Sequence, residues 1–190
     1  MKTHHLTAML LITLGLVAPG WATATPPPSP TPEELAPGVW LIAGGFLPDR
    51  EPDGNTLVVD APAVLVVVDT GRHDWHREAI LALAHSQGRK MVAIVNTHWH
   101  LDHVSGNPAL RAAFPELRIY ASEVLDGALG GFLAASAVDD ANYVDDPLLL
   151  QLLRSDIRAD MLAIAAGAKL RPDELLTASG TTRLGGRALI

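Results

Sequence analysis

Cysteine is absent from this 190-residue chain. That excludes disulfides, thiolate metal ligands and a thiol nucleophile, so any metal here must be held by nitrogen and oxygen. Positive charge is scarce too. Lys and Arg number 14 against 21 Asp and Glu, a formal net charge of −7 with no long basic run. Such a balance argues against a nucleic-acid partner, whose phosphates would be repelled. There is no internal repeat, and the one extended apolar run, Leu6–Val17, is too short for a comfortable membrane span. What is present is a globular composition, 48% hydrophobic and 18% charged, of a length that suits one domain.

The apolar run follows Lys2 and precedes Ala22-Thr23-Ala24, a small-x-small cleavage signature. Residues 1–24 are therefore expected to be a signal peptide cut after Ala24, giving a periplasmic or secreted protein with no membrane span in its mature chain. A proline-rich arm is expected over 25–36, extended and mobile. The domain proper is read over 37–190. VWLIAG from Val39 suggests a first strand, and TLVVDA from Thr56 with AVLVVVDTG from Ala63 an antiparallel hairpin. His73–Gly88 predicts a helix with Ile80, Leu81 and Ala84 inward and Gly88 as its stop. MVAIV from Met91 is the next buried strand, Asn107 is placed to cap a short helix begun by Pro108, and LRIYAS from Leu117 returns as a strand. The order implies helices packed on a sheet.

Residues 127–176 stand apart as a flexible and helical insertion. Gly127–Asp146 is small and acidic, a flexible excursion. Asp146-Pro147 should open a helix to about Ala166, with Leu149, Leu153, Ile157, Met161 and Ile164 as its apolar stripe. Gly185-Gly186 predicts a turn near the end.

The densest chemistry lies in NTHWHLDHVSGN, residues 96–107, directly after MVAIV. In an extended segment alternate side chains share a face, which would present His98, His100 and Asp102 together while Trp99 and Leu101 anchor the backbone. His103 joins them only if the chain turns sharply. Imidazoles with a carboxylate suit zinc, and also iron or manganese. Four such groups exceed what one tetrahedral centre needs with a water position left open, so two metals fit better. His73, His76 and His85 read as solvated surface.

THWHLDHVSGN resembles the H-x-H-x-D-H signature of the metallo-β-lactamase fold superfamily, and VVVDTG one helix upstream is similar as well. The resemblance implies an α+β fold, a four-layer αββα sandwich represented here by about its first half plus the helical insertion. It implies two Zn2+ ions, with His98 and His100 on the first and Asp102 and His103 on the second. Asp102 would orient the nucleophile and accept its proton in a metal-assisted hydrolysis. Asp69 would hold the histidine loop by hydrogen bonds. The substrate would be a small molecule: a β-lactam, thioester, lactone, or sulfate or phosphate ester. In the superfamily further ligands come from downstream, whereas His103 is the last histidine of this chain. The expectation is a missing C-terminal half, with none of the carboxylates from Asp126 to Asp173 assignable as a bridge. The alternative is a truncated or degenerate non-catalytic relative that binds metal weakly or needs a partner chain.

Overall fold

The computed structural model describes residues 27–189. The expected signal peptide over 1–24 and the start of the proline-rich arm lie outside the described residues. Strands β1 (Glu33–Ala36), β2 (Val39–Ile42), β3 (Thr56–Ala61) and β4 (Val64–Val68) run antiparallel in sequence order. Helix α1 (Asp74–Gln87) then returns the chain so that β5 (Lys90–Val95) lies parallel to β4, and β6 (Arg118–Ala121) and β7 (Glu174–Leu175) continue in parallel. The result is one seven-stranded mixed sheet in the order β1 to β7.

The expected hairpin is β3–β4, and Gly88 ends α1 in the left-handed conformation at φ 60°. The end of the arm differs from expectation. Glu33–Ala36 is an edge strand, not a mobile tail, because the four residues between Pro32 and Pro37 are free of proline and Glu34 accepts the Gly38 amide across the turn at 3.0 Å. Its two glutamates keep that open edge charged.

The main core lies between the sheet and α1. Leu65, Ile80, Met91, Ile94 and Ile119 are sealed there, each contributing about 1.5–3 kcal/mol by leaving water. On α1 the inward set is His76, Ala79, Ile80, Leu83 and Ala84, so Leu83 takes the place expected of the half-buried Leu81. A bulge in β5 pairs Leu65 with Met91 but Val66 with Ala93. Met91 and Ile94 therefore face α1, while Val92, Ala93 and Val95 face the opposite side. That second face is covered by a hairpin of β8 (Thr182–Leu184) and β9 (Arg187–Leu189), whose turn is the expected Gly185-Gly186 at φ 58° and 88°. Helical layer, large sheet and the start of a second sheet make up about half of the sandwich expected from the sequence.

Most of the insertion is helical, in α4 (Glu123–Gly130), α5 (Phe132–Tyr143) and α6 (Gln151–Ala165), with turns between α5 and α6 and the short strand β7 near its end. The flexible excursion over 127–146 is thereby corrected. Leu125, Ala128, Leu129 and Leu133 sink against Leu101, Val104 and Leu170, which is what holds α4 and α5 in place. Helix α6 starts later than Asp146-Pro147 suggests, because the Asp146 carboxylate takes the Leu148 amide at 2.8 Å and turns the chain first. Of its apolar stripe only Ile157 is buried; the other buried residues are Asp156 and Asp160. Among the described residues no helix is long and apolar enough to cross a membrane.

Candidate metal centre

Strand β5 delivers the motif at its carboxyl end, but the loop is not extended throughout. Residues 97–99 bend, and Leu101–Val104 forms a single helical turn, α2, followed by α3 (Asn107–Ala113). The alternation expected of an extended strand gives way to that turn, which is what brings His103 back beside His98. The rings of His98 and His103 lie 4.1 Å apart and those of His98 and His100 lie 4.7 Å apart. Trp99 and the buried Leu101 anchor the backbone in the cluster beneath α4 and α5, as expected.

A buried polar frame fixes this loop. Asp69 sits at the end of β4 at φ 60°, a left-handed position that Asp tolerates better than most side chains. Its carboxylate accepts the Thr97 amide at 2.8 Å, the Thr97 hydroxyl at 2.6 Å and His103 Nδ1 at 2.8 Å. Thr70 donates its amide to the His103 carbonyl at 2.9 Å and its hydroxyl to Asn107 Oδ1 at 3.0 Å. Asn96 and Asn107, both buried, close the frame with a 2.8 Å bond between their side chains. Asn107 is thus a structural carboxamide of the loop, not a helix cap; Gly106 precedes the helix instead. Two glycines let the pieces close. A Cβ on Gly54 would stand 2.7 Å from the His103 ring, and one on Gly106 would strike the Thr70 carbonyl.

The bonding also sets proton positions. The Thr97 hydroxyl gives its one proton to Asp69, so it accepts from His98 Nδ1 at 2.9 Å. That leaves the lone pair of His98 on Nε2. Partial burial, then the positive charge of its histidine neighbours, pushes the His98 pKa down, which keeps the ring neutral. His103 lies between two carboxylates, with Nε2 3.3 Å from Asp102 and Nδ1 on Asp69; bonds to Asp102 and then Asp69 raise it to about 9. Burial works against the Asp102 carboxylate, but the His103 partner outweighs it and holds the pKa below the usual range. His100 is exposed at the mouth. Ligand atoms of Asp69, His98 and His103 all fall within 4.8 Å of one another. Both Asp69 oxygens are already engaged, so its geometry is that of a pillar behind His103.

A second polar cluster, unannounced by any motif in the sequence, lies beside the first. His73 and His76 are buried, contrary to the surface expected for them; His85 is exposed. The reason is the loop after β2, which folds over the start of α1. Its Asp53 accepts His73 Nδ1 at 2.7 Å, and Thr56 pairs with His76 Nε2 at 2.9 Å. Asp156 reaches in from α6 to His73 Nε2 at 3.2 Å and takes Arg50 through both carboxylate oxygens, while Asp160 takes Arg72. Burial opposes the Asp156 charge, yet His73, Arg50 and the Glu51 amide hold its pKa at about 2. Burial raises Asp160 to about 6 despite Arg72.

Between the motif and the helices α5 and α6 lies an open cavity of about 400 Å³, reached by His100 and Asp102. The cavity is wide enough to admit a small molecule beside the exposed His100 ring and the ionised Asp102 carboxylate.

A family model described as the metallo-beta-lactamase superfamily matches residues 49–177. An atrochrysone carboxyl ACP thioesterase from Aspergillus fumigatus is 34% identical over 94 residues, covering 48% of this chain and 30% of that protein. A hydroxyacylglutathione hydrolase from Crocosphaera subtropica is 36% identical over 82 residues, covering 43% and 27%. The matches thus span less than a third of these two relatives' own length. A solved metallo-beta-lactamase from Pontibacter korlensis superposes with a TM-score of 0.51 at 18% identity, over 83% of this chain and 57% of that one, a likeness of fold.

Proposed function

Because this chain belongs to the metallo-beta-lactamase superfamily, we propose that it carries the metal-binding half of an exported, zinc-dependent hydrolase of small-molecule esters, thioesters, lactones or β-lactams. The observation that carries the reading is the gathering of three imidazoles and a carboxylate on a loop locked by the Asp69, Thr70, Asn96 and Asn107 frame. The donor set fits zinc, being nitrogen and oxygen throughout, with one imidazole tautomer already fixed by Thr97. His98 and His100 would hold one ion, and Asp102 and His103 a second. When bound, zinc supplies Lewis acidity and lowers the pKa of a coordinated water to about 7.

The chain's own residues do the rest. Asp102 orients the attacking water and accepts its proton. Asp69 holds His103 in place, and Trp99 with Leu101 keeps the loop from moving as charge develops. The test is cobalt substitution combined with a hydrolysis panel of the four bond classes. We expect a histidine-ligated cobalt spectrum, turnover of at least one class, and loss of both in His98→Ala. No cobalt spectrum and no turnover would overturn the proposal. Export rests on residues 1–24 and predicts a periplasmic or secreted product that begins at Thr25, read by mass spectrometry of the fractionated protein.

A further inference from the structure

We propose that the cavity beside the histidine motif selects substrates whose flank next to the scissile bond is uncharged or cationic, and disfavours anionic ones; this rests on the hydrolase reading above. The cavity is walled by Glu51 from the loop, Asp140 from α5 and Asp160 from α6. Its one arginine, Arg72, is already committed: it is paired with Asp160, lies 3.8 Å from Glu51 and donates Nε to the Pro52 carbonyl at 3.1 Å. Asp140 is turned by a 2.7 Å bond from the Tyr143 hydroxyl, which neutralises no charge. An anionic group entering here meets carboxylates and, among the described residues lining the cavity, no free cation. The apolar part of the lining includes Trp99, Leu101, Leu133 and Ile157. Trp99, partly buried and packed against the rings of His100 at 4.4 Å and Phe132 at 4.7 Å, adds aromatic surface of the kind that attracts cations to the lining. Placed next to the proposed metal ligands, such a wall sorts the candidate substrates. Neutral or amine-bearing esters and lactones are favoured over those carrying a carboxylate or sulfate beside the reacting carbonyl.

The wall is tested apart from turnover. The metal-free chain at pH 7.5 and low salt is titrated with benzyltrimethylammonium and with benzoate, following the Trp99 indole N–H signal by NMR. The cation should bind on the order of tenfold more tightly than the anion, a ratio that collapses in high salt. The paired substitution Glu51→Gln with Asp140→Asn should bring it close to one, and an unchanged ratio would overturn the assignment of the wall to these residues. Benzoate binding as tightly as the cation in the unaltered chain, or a ratio insensitive to salt, would overturn the proposal outright. In the second arm the zinc-loaded chain is given matched ester pairs that differ only in a flanking carboxylate. Equal kcat/KM for both overturns the wall and leaves the hydrolase reading standing. Cation preference in a chain that hydrolyses nothing supports the wall and removes only the hydrolase reading.

Discussion

Asp69 shows how much one side chain can set. Three donors converge on it from the motif, two from Thr97 and one from His103, and it reaches them from a left-handed backbone position. Asp69→Asn keeps the shape but turns one acceptor into a donor aimed at other donors. Metal affinity should fall by about 10- to 100-fold, read by competition with a chelator, while the fold persists. Gly54→Ala should act on the same ring from the other side, since its Cβ would lie 2.7 Å from His103. An overpacking cost of about 1–3 kcal/mol in denaturant unfolding, together with weaker metal binding, is the expected outcome. His73 gives a pH signature. Burial lowers its pKa, but Asp156 and Asp53 outweigh burial and raise it. Its contribution to stability is therefore complete below the unfolded value of about 6.5 and disappears as pH rises through the higher folded value. The Tm gap between the parent and His73→Gln should be wider at pH 6 than at pH 9; a gap that widens with pH would contradict the assignment.

At the scale of elements, α6 is fastened by charge more than by oil. Its buried face carries Asp156, Ile157 and Asp160, and the acids meet Arg50 and Arg72 from the loop between β2 and β3 and from the turn after β4. Asp156→Ala strands a buried guanidinium and should cost about 3 kcal/mol. It should also raise amide exchange along Gln151–Ala165 more than along α1. This fastening explains what was and was not legible in the sequence. The motif's histidines, Asp102 and Asp69 stand in contiguous or neighbouring runs whose residue types announce their chemistry. The strands and α1 follow from apolar periodicity. The Arg50–Asp156 pair spans 106 positions, and a periodicity that counts only apolar residues assigns α6 to its leucines instead of its aspartates. His73 and His76 were hidden for the same reason: their partners are distant in sequence, Asp53 in a loop with no pattern of its own and Thr56 at the first position of β3.

For the whole molecule, the sheet is covered unequally. One face is sealed by α1 and the residues around it, whereas the face bearing Val66, Ala93 and Val95 is met by the β8–β9 hairpin through Leu184 and Leu189. Removing residues 182–190 should uncover that face. Increased binding of a hydrophobic dye and concentration-dependent self-association by size-exclusion chromatography are expected, with no change in either if the hairpin is dispensable. Exposed apolar side chains elsewhere, such as Phe132, Leu148 and Leu162, are scattered over the insertion and remain in both forms. The polar frame behind the histidines has a consequence in time. A loop pinned by amides, hydroxyls and carboxamides is finished when the chain is finished, unlike small domains that stay unfolded until their ion arrives. On the proposed function, metal loading would then be a separate encounter, paced by how much free metal surrounds the protein, and the same folded molecule could be emptied and refilled without being remade.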